Sequence, residues 1–421
     1  MSTLNPIRNT ITQEMQFFGN TNPLDLIQEF GSPLYVYNET ILRKRCQELK
    51  NLVTYPHFAV NYSVKANGNL TLLKIICEEG LNADAMSPGE IFIEKKAGFT
   101  SDQILYISNN VSAEEMRYAI DQGVTISVDS LSQLELFGQI HPGGEICVRF
   151  NSGIGAGHHE KVVTGGEHTK FGINTEYIPE VKKIIEKYKL QLIGINQHIG
   201  SLFMEPEPYL EGVHSVLAIA KEFDNLKFVD LGGGFGIPYH KYEGEERLDL
   251  QKLGQKLDEI LHNWVKSYGK EILFKIEPGR YIVAECGLLL GTVHSIKQNA
   301  HTKYVGTDLG FNVLIRPTLY DAHHDIEIYR SSNQFSLTEE QVTIVGNICE
   351  SGDIIANDRL LPTLYEKDIL GVLDTGAYGY CMSSNYNNRL RPAEVLIQSN
   401  GQARLIRRRD TLEDLIRNFE V

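Results

Sequence analysis

A closed (β/α)8 barrel joined to a second, mainly antiparallel β domain is the fold class this sequence predicts, and three observations lead to it. Short β-rich runs alternate with amphipathic helical stretches along the first part of the chain. The runs number eight, and they occupy about 230 residues, as a (β/α)8 barrel requires. After residue 285 the alternation stops, and short apolar runs broken by Gly, Pro, Asn and Asp take over.

The strand runs are 58–64 (FAVNYSV), 81–86 (LNADAM), 103–108 (QILYIS), 124–129 (VTISVD), 145–150 (EICVRF), 190–199 (LQLIGINQHI), 227–233 (KFVDLGG) and 272–278 (ILFKIEP). Helical patterning fills 71–79, 88–97, 112–121, 131–138, 177–188, 208–223 and 249–268. In 177–188, Ile178, Val181, Ile184 and Ile185 share one face while lysines and glutamates take the other. A doubly wound open sheet shows the same alternation; the count of eight favours closure. The second domain is read from VGTDLGF, QVTIVGN, LLPTLY, EVLIQS and ARLIRRR. The first 35 residues fit neither pattern and could add a strand to that domain. The barrel is therefore placed at 36–285, and the β-rich domain at 1–35 plus 286–421.

Composition narrows the function classes. The chain has 421 residues, 42% hydrophobic and 22% charged, enough apolar side chains for a sizeable core. Forty Lys and Arg against 54 Asp and Glu give a net charge of −14, which argues against gripping nucleic acid or an anionic membrane as the main business. No stretch approaches the ~18 uninterrupted apolar residues of a membrane span, and MSTLNPIRNTITQEMQFFGN has no apolar core of a secretory signal. Cys46, Cys77, Cys147, Cys286, Cys349 and Cys381 are scattered without a C-x-x-C pair, so reduced thiols in a cytoplasmic enzyme are expected.

In a β/α barrel, reactive groups collect at the carboxyl ends of the strands. The first run leads into Ser63-Val64-Lys65-Ala66-Asn67, where Lys65 is a candidate Schiff-base amine or an ordinary surface lysine. The sixth ends in Gln197-His198-Ile199-Gly200-Ser201; a lone histidine is as readily structural as catalytic. The seventh ends in Asp230-Leu231-Gly232-Gly233-Gly234-Phe235-Gly236, an anion cradle or a tight turn, without the G-x-G-x-x-G spacing of a dinucleotide site. The eighth ends in Glu277-Pro278-Gly279-Arg280, where the acid could hold a ring nitrogen protonated or simply pair with Arg280. In the second domain, Cys349-Glu350-Ser351-Gly352-Asp353 follows an apolar run, and Tyr378 lies in Gly376-Ala377-Tyr378-Gly379. An amine, an anion cradle and a buried acid at the ends of one barrel together suit pyridoxal phosphate. His158-His159-Glu160 and His323-His324-Asp325 resemble metal ligands, but adjacent residues seldom point at one ion, so no metal is expected. The run Arg404, Arg407, Arg408, Arg409 reads as a solvated face.

The segments YSVKAN, HIGS, DLGGGFG, EPGR, RPTLYDA, CESGD and GAYG occur in this order across both predicted domains. With them the chain resembles the barrel-type, alanine-racemase-fold pyridoxal phosphate decarboxylases, and within them the branch acting on meso-2,6-diaminopimelate. The resemblance implies that Lys65 carries the cofactor as a Schiff base, that His198 lies against its ring, and that Glu277 faces the pyridine nitrogen. It implies that Ser201, Gly234 and the neighbouring glycines Gly233 and Gly236 bind the phosphate, and that Gly279, Arg280 and Tyr378 also contact the cofactor. Cys349 would donate a proton to the carbanion from the partner subunit of a homodimer. Arg280, Arg316 and Tyr320 would hold the distal carboxylate, Glu350 the distal ammonium, and Tyr378 would also touch substrate. The product would be L-lysine with CO2, the last step of lysine biosynthesis.

The chain departs from the family at Leu202, where glutamine is common, at His323, where tyrosine is usual, and at Leu390, where proline is usual. The alternatives are a decarboxylase of D-lysine, D-ornithine or arginine, and a non-catalytic pyridoxal-phosphate-binding protein. A lid over the site is one reading of residues 153–170, ordinary loop duty the other.

Overall fold

The computed structural model describes residues 10–151, 153, 156–157, 169–330 and 338–420; the proposed lid at 153–170 and the His158-His159-Glu160 group therefore lie almost wholly outside the described residues. The chain divides into two compact units: residues 43–238 with 246–282, and residues 1–42 with 239–245 and 283–421. The domain limits expected at 35/36 and 285/286 thus fall at 42/43 and 282/283. Residues 239–245 leave the first unit for the second.

The strands discussed below are Leu34–Asn38 (β1), Phe58–Ser63 (β2), Asn82–Ala85 (β3), Ile104–Ile107 (β4), Thr125–Val128 (β5), Glu145–Asn151 (β6), Gln191–Asn196 (β7), Phe228–Asp230 (β8), Leu273–Ile276 (β9), Gly287–Asn299 (β10), Thr302–Thr307 (β11), Ile326–Tyr329 (β12), Glu339–Val345 (β13), Ile354–Pro362 (β14), Ile369–Val372 (β15), Ala393–Ile397 (β16) and Ala403–Arg407 (β17).

In the first unit β2 to β9 pair side by side, every pairing parallel. The ring closes where Lys275 and Ile276 of β9 meet Ala59 and Val60 of β2, so the open doubly wound sheet is excluded. All eight expected strands are present, seven of them shortened where they meet the loops and the fifth, 145–150, longer by one residue. The run 227–233 stops at Asp230 because Gly232 turns to φ +79 and leaves the ladder. Parallel strands covered by helices are buried on both faces, and Val60, Ala83, Leu105, Ile126, Val148, Ile195, Val229 and Phe274 are accordingly buried.

The helices between them begin and end on local chemistry. Pro88–Ala97 starts with the Ser87 side chain accepting the Glu90 N–H and with proline in its first turn, and it ends at Gly98 with φ +114. Ala113–Asp121 opens with a reciprocal Ser112/Glu115 capping box. In Ile178–Tyr188, Val181 is wholly buried while Ile178, Ile184 and Ile185 are half-buried on the same side.

The second unit is built on a sheet ordered β14-β13-β11-β10-β1-β16-β17, with β15 also on β10 and β12 on β15. Among the described residues six of its eight pairings are antiparallel; β1 with β16 and β11 with β13 are parallel. The N-terminal region does add a strand, and β1 is a central one, fully buried between β10 and β16. The thirteen-residue β10 and the short β12 and β15 have no counterpart among the expected runs. Conversely, VGTDLGF and LLPTLY are strand only at Val305–Thr307 and Leu360–Pro362, their remainders being loop and helix-free turn.

Candidate active site

At the barrel's carboxyl end the expected residues of the first unit converge. Lys65 sits in the single turn Val64–Ala66 directly after β2; its neighbours Val64 and Ala66 are buried while Lys65 itself is exposed. The turn is braced from the eighth strand end. Ser63 N–H donates to Pro278 O at 3.1 Å, and a Cβ on Gly279 would lie 3.0 Å from the Ser63 Cβ and 3.1 Å from that of Ala66. Ser63 Oγ donates to Asp84 Oδ2 at 2.7 Å. Burial pushes the Asp84 carboxyl up to about 8, with the Lys65 charge and the Ser63 hydroxyl opposing the rise.

His198 is mostly buried, and the backbone N–H of Gly233 donates to its Nδ1 at 3.1 Å. An N–H partner leaves that nitrogen no room for a proton. Burial, with Lys65 and Arg149 nearby, holds the ring well below the usual histidine range. The 4.0 Å approach of Nδ1 to Glu277 Oε2 is therefore a contact of a neutral ring, not an ion pair.

Glu277 is buried, and its Oε1 has no hydrogen-bond partner. Burial, followed by the neighbouring carboxylates of Asp230 and Asp84, raises its pKa well above the usual range, while the Arg149 guanidinium pulls the other way. A carboxyl in that state is stabilised by any cationic N–H brought against its open oxygen.

The glycine loop explains itself by close approach. A Cβ at Gly233 would lie 1.9 Å from Glu277 O, and at Gly236 2.5 Å from Phe203 O. Gly234 has φ +105 and would meet Gly200 O at 2.6 Å. Gly234 O and Gly236 N are tied to Phe203, at 3.0 Å each. Gly232 N–H is held by Asp230 Oδ1 at 3.0 Å. Among the described residues no backbone carbonyl accepts from the N–H groups of Gly234 or Phe235, and neighbouring N–H groups of this kind can receive an anion. Beside it Arg280, buried, donates from Nη2 to Ser201 Oγ at 3.0 Å.

Within the second unit Arg316 is almost fully buried at the start of the helix Arg316–Tyr320, where Tyr320 is half-buried. Tyr378 has φ +57 in a turn whose flanking glycines touch backbone: a Cβ on Gly376 would lie 1.8 Å from Val283 O, and on Gly379 2.3 Å from Thr375 O. Cys349 and Glu350 are exposed. Their loop is pinned by Asp353, which accepts from Phe311 N–H at 2.6 Å and Ile348 N–H at 2.7 Å. Asn387 Oδ1 accepts from Cys349 N–H at 2.8 Å, and Tyr386 donates its hydroxyl to Glu350 Oε1 at 2.5 Å.

Sequence reasoning passed over several groups. Asp84, Arg149 and Lys275 are charges inside barrel strands, each set in an apolar run, and that interruption was the available signal. His324 was weighed only as a metal ligand. It instead faces Arg316, while His323 bonds Asp325 Oδ1 at 3.0 Å and stacks on His240 at 3.7 Å. His240, Glu243 and His323 lie close enough to be considered for a metal. The near-parallel rings do not converge on one point, and Arg359 Nη1 lies 3.2 Å from His323 Nε2, a poor setting for a cation.

Residues 39–284 match the family model for the pyridoxal-binding domain of pyridoxal-dependent decarboxylases. A diaminopimelate decarboxylase of Methanothermobacter thermautotrophicus is 40% identical over 412 residues, 96% of this chain and 95% of that protein. The crystal structure of a diaminopimelate decarboxylase from Helicobacter pylori complexed with L-lysine superposes with a TM-score of 0.86 at 31% identity, covering 94% of this chain and 98% of that one. One from M. jannaschii, also with L-lysine, gives 0.83 at 32% identity, covering 94% of each.

Proposed function

We propose, for a chain that belongs to the pyridoxal-dependent decarboxylases and within them to the diaminopimelate decarboxylase family, that it converts meso-2,6-diaminopimelate to L-lysine and CO2. The observation that carries the reading is the barrel mouth. There an exposed lysine, a neutral histidine, a buried acid with an open oxygen and a loop with neighbouring N–H groups share one strand-end surface. These residues fit pyridoxal phosphate: Lys65 for the aldehyde, Glu277 Oε1 for the ring N–H, and Gly234 with its neighbours for the phosphate. Bound there, the cofactor supplies an electron sink for the electron pair left when CO2 departs.

The residues do the rest. Glu277, driven toward its neutral form by burial and by Asp230, regains a stable charge only beside a cationic N–H, and so favours the protonated ring. His198 stays uncharged because Gly233 N–H occupies Nδ1, so it packs against a ring without repelling a cation. Ser201, Gly233, Gly236, Gly279, Arg280 and Tyr378 complete the cofactor site. Arg280 and Arg316, with Tyr320, take the distal carboxylate, since a guanidinium fork matches a carboxylate in bidentate fashion. Glu350 takes the distal ammonium, and Tyr378 also meets substrate. Cys349 delivers the proton to carbon; it is exposed, as suits a group serving the active site of a partner subunit, and we place the working enzyme as a cytoplasmic homodimer. Among the described residues no helix is long and apolar enough to cross a membrane.

The test is CO2 release by the pyridoxal-phosphate-loaded protein on meso-diaminopimelate, beside L-lysine, D-lysine, D-ornithine and L-arginine. Turnover confined to diaminopimelate with L-lysine as product is expected. Turnover only on a compound without a second carboxylate would refute the assignments of Arg280 and Arg316.

A further inference from the structure

The loop between β13 and β14, which carries Cys349 and Glu350, is met by a second segment at three points. Arg389 Nη2 donates to Asn347 O at 3.0 Å, Asn387 Oδ1 accepts the Cys349 N–H at 2.8 Å, and the Tyr386 hydroxyl donates to Glu350 Oε1 at 2.5 Å. Each step forward along one segment is a step back along the other, an antiparallel register made by the side chains of 386–389. The turn is shaped for it. Asn387 and Asn388 stand at φ +56 and +54, a left-handed region that asparagine enters more readily than most residues. Asn385 Nδ2 closes the turn on Arg389 O at 2.8 Å. The Tyr386 ring stacks on Phe311 at 5.6 Å, and Phe311 is itself tied through its N–H to Asp353. Cys349, Glu350, Tyr386 and Asn387 are all exposed, so apolar packing does little to fix them and these bonds carry the register.

We propose that residues 386–389 are a positioning brace, in which Asn387 sets the proton donor Cys349 and Tyr386 sets the ammonium acceptor Glu350. This rests on the roles given above to Cys349 and Glu350. Asn387 grips the peptide N–H of Cys349, and so fixes the point from which the thiol reaches for carbon; an ångström of drift there costs rate steeply. Tyr386 grips one oxygen of Glu350, and so fixes the rotation of the carboxylate that is to meet the distal ammonium. The two neighbours therefore serve different steps, proton delivery and binding.

Three substitutions separate these steps. Asn387→Gly keeps the left-handed turn and removes the acceptor; Asn387→Asp keeps both. Tyr386→Phe keeps the stack on Phe311 and removes the hydroxyl. The kinetic measurements, on the pyridoxal-phosphate-loaded protein, are kcat and KM on meso-diaminopimelate and the inhibition constant of L-lysine, which retains the ammonium that was distal in the substrate. The fate of the electron pair left by CO2 is a further readout, since the substrate carbon and the cofactor's aldehyde carbon share it. The thiol proton on the first gives L-lysine. A proton on the second, followed by hydrolysis with one water, oxidises the substrate's amine carbon to an aldehyde and reduces the cofactor to pyridoxamine phosphate. The rate at which iodoacetamide alkylates Cys349, located by peptide mass spectrometry, reports the thiol without turnover.

Asn387→Gly is expected to lower kcat and raise the pyridoxamine phosphate formed per CO2, each by about 10-fold for one lost hydrogen bond. Its Cys349 should alkylate about 3-fold faster, while KM and the L-lysine inhibition constant stay near wild type. Asn387→Asp should remain within about 3-fold of wild type throughout. Tyr386→Phe should raise KM and the L-lysine inhibition constant together, by about 10-fold for one hydrogen bond to a charged group, and leave kcat and the alkylation rate unchanged. Parallel losses of kcat and affinity in Asn387→Gly and Tyr386→Phe would mark a merely structural turn and overturn the inference. So would wild-type values in both, or an Asn387→Asp protein as impaired as Asn387→Gly. A wild-type protein inert toward diaminopimelate would overturn the functional reading itself, and the inference with it.

Discussion

Glu94 offers a test of the electrostatics beneath the active site. It lies on the inner face of the helix Pro88–Ala97, fully buried, and neither carboxyl oxygen has a hydrogen-bond partner. Burial, with Asp84 and Glu90 close by, pushes its pKa from 4.5 up to about 9. The folded protein therefore keeps Glu94 protonated at neutral pH, whereas the unfolded chain releases the proton above about 4.5. Folded stability accordingly falls as pH rises through this window, by about 1.4 kcal/mol per pH unit, until the folded group also ionises. At pH 7 the cost is on the order of 3 kcal/mol. Glu94→Gln keeps the shape and removes the titration, so it should stabilise the protein by about that amount at pH 7 and by almost nothing near pH 4.5. Thermal melts of both proteins across this range are the assay. The rise in melting temperature should grow with pH to roughly 5–10 °C at neutrality for a unit of this size. A melting difference that is flat with pH would show Glu94 to be ionised and partnered in the fold, and would refute the reasoning.

Three further outcomes are expected. Lys241→Met leaves Asp374 and Glu285, both buried around the Lys241 ammonium, without their cation. Asp374 already sits near 6, so a loss of about 3 kcal/mol should appear at mildly alkaline pH and shrink on acidification as the acids protonate; equal loss at both pH values in denaturant titrations would contradict this. Gly233→Ala should abolish cofactor binding and lower solubility, its Cβ having no space against Glu277 O, whereas Gly269→Ala meets nothing within 4 Å and should cost only about 1 kcal/mol for its left-handed φ. Equal melting temperatures for the two would contradict the close-approach argument. The His198 ring should show no titration near its ordinary value of 6.5 in nitrogen NMR. Because the unfolded chain takes up that proton and the folded ring does not, its contribution to stability is complete above about 6.5 and erodes as pH falls below it.

The barrel was legible because its strands carry their own signal. A run such as ILYI is apolar on both faces, and a capping serine and a glycine mark where the helix Pro88–Ala97 begins and ends. Closure was not in any one run; it lies in the pairing of β9 with β2, across more than two hundred residues. The strand-end residues were legible for the same reason, since Lys65, His198, the glycines and Glu277 each follow a run directly. What escaped were groups defined by distant partners. Tyr239 and Lys241 look like loop residues until Arg316 and Asp374 are beside them. His324 looked like half of a metal pair because only its neighbours in sequence were weighed. β15 was missed as four residues, ILGV, too short to announce themselves, although β10 and β12 flank them.

The place of β1 also bears on how the chain is made. Its residues Leu34–Asn38 find their two neighbours in Gly287–Leu290 and Ala393–Ile397, so the strand leaves the ribosome long before either partner exists. At about 5–20 residues per second the second partner follows some 20–70 s later. Throughout that interval LYVYN, apolar and aromatic with both edges open, is free to pair with another nascent chain. Production in quantity should therefore be limited by what shelters these five residues during synthesis. A holdase acting on the early chain, or slower initiation on each message, should raise the soluble yield more than any change to the finished protein.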